Sequence, residues 1–176
     1  MYVLSFSQAR YLLLLGVLGL LAAGCGAAAT ATPAPAVGAQ RPDTNASSVF
    51  EHLRTANYQE TWQLWPDKGE LYQGAEPHGM LLTTYLNDVA ISALNGDATS
   101  FPDGSIIVKE NYTPDSVLDA TTVMYKFAGY NAEHNDWFWT KVLADGTVEA
   151  EGQVEGCQTC HMAKRDNDYI WTSPLN

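Results

Sequence analysis

Cys157-Gln158-Thr159-Cys160-His161 is the stretch of this chain whose residue types and spacing point most directly to chemistry. Two thiols separated by two residues have three readings: a redox pair of the thioredoxin type, part of a zinc site, or the attachment point of a c-type haem. A redox pair belongs beside a βαβ pattern, and none is visible here. Zinc needs four protein ligands, or three and a water, and this short cluster could supply three. Zinc ligation and a plain disulfide therefore stay open. The histidine directly after the second cysteine favours haem: two thiols add across its two vinyl groups, and the adjacent imidazole is held under the iron. On that reading Cys157 and Cys160 carry one covalent haem c, and His161 is the proximal ligand of its iron.

The other axial position is less legible. Met162 follows His161 directly and lies on the wrong side of the ring, whereas His52, His78, Met80, Met124 and His134 could each reach the iron. Met124 sits in a strand-like run and reads as core filler. His78 stands in Pro77-His78-Gly79 and reads as a turn or hydrogen-bonding residue. The expectation is a five-coordinate haem with no distal protein ligand. Only 15 residues follow His161, whereas small electron-carrying cytochromes c have the motif near the N-terminus and a distant methionine downstream.

The remaining composition sets the frame. The chain has 176 residues, which points to one domain with an appendage. Hydrophobic residues at 46% and charged residues at 16% exclude wholesale disorder. Nine basic against 20 acidic residues, a net charge of −11, argue against nucleic acid and anionic membrane surfaces as partners. Three cysteines cannot staple a miniprotein, so Cys25 needs its own explanation. Residues 1–24 carry Arg10 and then an apolar run of about 14 residues, short for a membrane span and suited to a signal peptide. Leu20-Leu21-Ala22-Ala23-Gly24-Cys25 resembles the lipobox of bacterial lipoproteins, which implies export, lipidation of Cys25, and attachment to a membrane on its periplasmic or extracellular side through the lipid alone. Residues 25–48, small and proline-spaced, read as a solvated tether. Residues 49–176 are left as the functional domain.

Within that domain the pattern is one helix and then mostly strands. Ser47-Ser48 caps a helical periodicity that runs to Trp65-Pro66, and a shorter helix is expected over 89–94 before Gly96. Strands are expected at 81–86, 106–110, 121–127, 137–143 and 147–151, with a turn at 101–105 and a hairpin at Asp145-Gly146. Alternation puts Trp137 and Trp139 on one face and Phe138 on the other. These aromatics read as core or as a flat wall beside a planar cofactor. The fold class is mainly β (α+β): an antiparallel sheet with a few flanking helices and a C-terminal attachment motif.

Three stretches make the chain similar to the cytochrome P-460 family, which includes the cytochrome c′-beta proteins. They are Phe101-Pro102-Asp103-Gly104-Ser105-Ile106-Ile107-Val108-Lys109-Glu110, then Met124 to Gly129 leading to Asn135-Asp136-Trp137-Phe138, and Cys157 to His161 followed by Asp168-Tyr169-Ile170-Trp171-Thr172. The resemblance implies a single-haem antiparallel β domain, often homodimeric. It implies that Lys109 bonds covalently to a meso carbon of the haem and that Phe127 lines the distal face. Members that oxidise hydroxylamine carry a distal carboxylate as proton acceptor. Here the matching position is Asn131, which cannot take a proton usefully, and Glu133 two residues on is the candidate base. The c′-beta branch lacks the lysine bond and binds nitric oxide and carbon monoxide. The expected function is hydroxylamine oxidation at an open haem, with gas binding and electron transfer as alternatives. A small neutral nitrogen-oxide or gas ligand and a basic redox-partner protein suit the acidic surface.

Overall fold

The computed structural model describes residues 41–175. The expected signal segment, Cys25 and most of the tether lie outside these residues. Among the described residues no helix is long and apolar enough to cross a membrane.

The first helix, α1 (Ala46–Ala56), is shorter than its periodicity implies. Its cap is Asn45, whose side chain accepts from the Ser48 N–H, rather than Ser47 or Ser48 themselves. Asn57 ends it in the left-handed region at φ 50°, and one further turn, α2 (Tyr58–Thr61), follows in a new direction. Asparagine tolerates that backbone better than most residues, so the apolar spacing continues where the helix does not. Trp62 is already extended.

Seven strands follow: β1 (Gln63–Leu64), β2 (Tyr72–Gln73), β3 (Leu81–Leu86), β4 (Ile106–Tyr112), β5 (Leu118–Lys126), β6 (Trp137–Leu143) and β7 (Val148–Gly152). Helix α3 (Asp88–Leu94) separates β3 from β4, with Asn87 as its side-chain cap. Every pairing is antiparallel, in the order β1-β3-β4-β5-β6-β7, and β2 also pairs with β3. The two short strands were invisible to alternation because two residues carry no period. The β6–β7 hairpin closes as expected, with Leu143 N–H donating to Thr147 O and Gly146 at φ 88°.

Period-2 alternation splits the sheet into two unlike faces. On one face Tyr85, Ile106, Val108, Val123, Tyr125 and Phe138 pack against Val49 and Leu53 of α1. Glu110 also points to this side, buried, where its carboxylate accepts from Tyr58 Oη, Gln59 Nε2 and Tyr112 Oη at 2.6 Å each. The other face is apolar only at one end, where Leu86, Ile107 and Trp139 join α3, Trp65, Phe101 and Ile170. Farther along β4, β5 and β6, the cross-strand row Lys109–Thr122–Lys141 is only half-buried.

Leu53 is fully buried between α1 and the first face. Leu53→Ala will cost about 3 kcal/mol of folding stability in urea denaturation, through lost burial and the cavity left behind.

Candidate functional site

The cysteine pair opens onto the second face. Helix α4 (Glu155–His161) carries the whole motif, and a run of short helical turns over Met162–Asn167 continues from it. Cys157 is half-buried and Cys160 exposed, and the two thiols are not joined. Among the described residues no group of three or more His, Cys, Asp or Glu side chains is arranged to hold a metal ion, so the fourth partner that zinc would need is not assembled.

His161 is buried, and its orientation comes from downstream. Its Nδ1–H donates to the backbone carbonyl of Tyr169 at 2.6 Å, which leaves Nε2 free to ligate a metal. Its ring lies against that of Trp139, with centroids 4.8 Å apart. Burial and the nearby Lys109 amine hold the His161 imidazole below its ordinary pKa, against the opposing pull of the Tyr169 carbonyl. The ring is therefore neutral near pH 7, as a ligand must be.

The carbonyl that aims His161 is itself held by Asp168. Both Asp168 and Tyr169 adopt left-handed backbone, at φ 48° and 68°. Two adjacent residues in that region cost about 1 kcal/mol each, so something must impose it. The buried Asp168 carboxylate does so: it accepts from Lys126 Nζ at 2.7 Å, Asn135 Nδ2 at 2.9 Å, Phe101 N–H at 2.7 Å and Trp137 Nε1 at 3.2 Å. Asp168 and Tyr169 lay within a stretch that carried the family resemblance, yet nothing local to them indicates that a backbone carbonyl would orient a ring eight residues upstream.

Lys109 lies on the same face as His161. Its side chain is half-buried, and among the described residues its amine has no hydrogen-bond or ion-pair partner. Desolvation alone lowers its pKa to about 8. His78 also arrives here, from the loop before β3. Its ring and that of His161 have centroids 6.2 Å apart and stand nearly perpendicular, at 88°. Desolvation, reinforced by the Lys109 amine, pushes the His78 imidazole down to about 4. Beside these residues a cleft of about 330 Å³ runs between the 76–80 loop, Asn111, Ala120 and Lys141.

The other candidates fall elsewhere. Phe127 packs in the α1-side cluster, with its ring against Tyr125 and under the Arg41 guanidinium. Position 127 continues the parity of 123 and 125, so alternation sends it to the face opposite His161. Glu133 is exposed on a short helical turn, Ala132–His134, and its carboxylate makes no hydrogen bond to the residues around His161. Asn131 begins that turn and its amide nitrogen is buried without a partner. His134 touches the Tyr169 ring, His52 packs near Trp62, and Met80 is exposed. Met124 packs beside Trp139 and Ile107, as core filler should.

The residues fit a haem. An imidazole with its Nε2 free, two unjoined thiols on the same helix (Cys160 adjacent and Cys157 one turn back), an aromatic wall and a half-buried face of the sheet are the parts such a group requires. Two buried donors, Trp139 Nε1 beside the motif and Gln158 Nε2 within it, have no partner among the described residues, as at a site completed by something other than protein. Fold and site together define a haem-binding antiparallel β domain. A family model described as Cytochrome P460 matches residues 55–172, and the chain belongs to that family, whose members carry haem. No curated protein matches it significantly.

Asp168→Ala removes one partner of a buried ion pair and releases the Tyr169 carbonyl. The loss will be about 3 kcal/mol in urea denaturation. Unlike Leu53→Ala, it will also change the absorption spectrum of the haem-loaded protein.

Proposed function

We propose that this chain is an exported, lipid-anchored c-type haem protein that oxidises hydroxylamine or a related small nitrogen compound. Cys157 and Cys160 hold one haem through thioether bonds, His161 ligates its iron, and Cys25 bears the lipid. When bound, the haem supplies one-electron redox chemistry and an iron site for a small neutral ligand.

The observation that carries the catalytic reading is Lys109. Most lysines on a strand point fully to water or pair with an acid, but this amine is partly desolvated and has no acid partner among the described residues, on the face that carries His161. A desolvated amine spends more of its time neutral, the form in which nitrogen can bond to carbon. That supports the covalent lysine–haem link which the family resemblance implies. Trp139 and the Asp168–Tyr169 segment hold the imidazole in place, and the apolar end of the sheet keeps water from one side of the ring. The acidic surface favours a basic electron-accepting protein and leaves a neutral substrate free to approach.

Electron transfer is the second reading, because an imidazole other than His161 reaches the site.

Optical spectra of the purified protein, oxidised and reduced, decide the first point when wild type and Lys109→Ala are compared. A strongly red-shifted reduced Soret band in wild type only, with hydroxylamine turnover lost in the variant, is the expected result. Identical spectra in the two would remove Lys109 from the chemistry and favour binding of nitric oxide or carbon monoxide. Cys157→Ser combined with Cys160→Ser will abolish haem that survives denaturing electrophoresis.

A further inference from the structure

His78 and His161 are held in matching ways. Each ring gives its Nδ1–H to a carbonyl oxygen and keeps Nε2 unbonded: His161 to Tyr169 O at 2.6 Å, His78 to Asn111 Oδ1 at 3.0 Å. The Asn111 amide cannot be turned over to offer its nitrogen instead. Its Nδ2 is committed to Lys109 O, Ala120 O and Thr122 Oγ1, so Oδ1 must face the imidazole. The tautomer of His78 follows: protonated at Nδ1, with its lone pair at Nε2.

The loop that carries His78 is also placed by close backbone packing. A Cβ at Gly79 would lie 2.4 Å from Tyr112 N of β4, so Gly79 lets the loop lie flat against that strand, and one at Gly74 would lie 2.2 Å from Gly79 O, so Gly74 lets the loop close on itself. The His78 N–H donates to Ala75 O within the loop. This imidazole is positioned on both its backbone and its ring.

The spacing is that of a shared metal ion. An imidazole nitrogen binds a transition metal at about 2 Å and its ring centre lies about 1 Å farther on, so two rings on opposite sides of one ion have centres about 6 Å apart. The observed separation is 6.2 Å. The rings of His52 and His134 pair with Trp62 and Tyr169, Met124 packs in the core, and Met80 is exposed; among the described residues His78 is the histidine whose ring pairs with that of His161.

We propose that His78 is the second axial ligand of the haem iron. The resting site is then six-coordinate, and a nitrogen-oxide ligand reaches the iron only by displacing His78. This rests on the covalent-haem reading above, and replaces its open distal position with an occupied, exchangeable one.

The test is electron paramagnetic resonance of the ferric holoprotein, with haem content read separately by the pyridine haemochromogen assay. Wild type should be low-spin, with the large anisotropy of perpendicular imidazole planes. His78→Ala should be high-spin, return to low-spin when imidazole is added, and bind nitric oxide at least tenfold faster than wild type. His78→Met, which keeps a ligand at the position, should stay low-spin but gain the near-infrared band of methionine-ligated iron. A high-spin wild type, or a low-spin His78→Ala without added imidazole, would overturn the proposal. Absence of thioether-linked haem from wild type would overturn the covalent reading itself, and the His78 proposal with it.

Discussion

The buried carboxylate of Asp168 is the constraint on which the site depends. It draws together four donors from separate parts of the chain: the turn before β4, the end of β5, the loop before β6 and the start of β6. A carboxylate out of water requires such partners, since an unpaired charge there would be far costlier than the strain it imposes. In return the segment after the motif is bent through two left-handed residues, and the Tyr169 carbonyl is left with one direction in which to point. That direction selects the His161 tautomer. The same tyrosine's hydroxyl meets His134 at 3.2 Å, so the 130–136 loop is tied to the residue that orients the ligand.

The sheet supplies the other half of the arrangement by separating incompatible demands. Lys109 and Glu110 are neighbours on β4, yet alternation places them on opposite faces. Glu110 finds three neutral donors and fastens the α1–α2 region to its side of the sheet. Lys109, denied that carboxylate by geometry, remains an unpaired amine on the half-buried face. Had the two shared a face, an ion pair would have formed and the amine would be engaged. Asn111, one residue farther on and back on the Lys109 face, uses its nitrogen on the strand backbone and its oxygen on His78.

The distal side differs from what the hydroxylamine-oxidising pattern implies. Asn131 has no carboxylate, that of Glu133 is exposed, and Phe127 is committed to the other face. What approaches His161 is an imidazole held neutral by burial. With His78 as the proposed displaceable ligand, such a site would admit only molecules that compete for iron, a different means of selection from a carboxylate waiting beside an open position.

Features that depend on residues close together in the chain were legible without the fold. The cysteine–histidine motif, five of the strands, the 101–105 turn, the Asp-Gly hairpin and the shared face of Trp137 and Trp139 were legible because each is written within a few positions by spacing, period or turn chemistry. The break at Asn57 was not, since apolar periodicity continues through a residue whose backbone conformation it cannot report. Phe127 follows strand parity to the α1 side of the sheet, a placement that the family resemblance by itself does not report. Tertiary structure alone decided which carbonyl aims His161, which amine is stranded without a partner, and which of five distant histidines and methionines comes to face the ligand. Those outcomes follow from strand register and from a buried charge seeking donors, and both are properties of residues that meet only after the chain has folded.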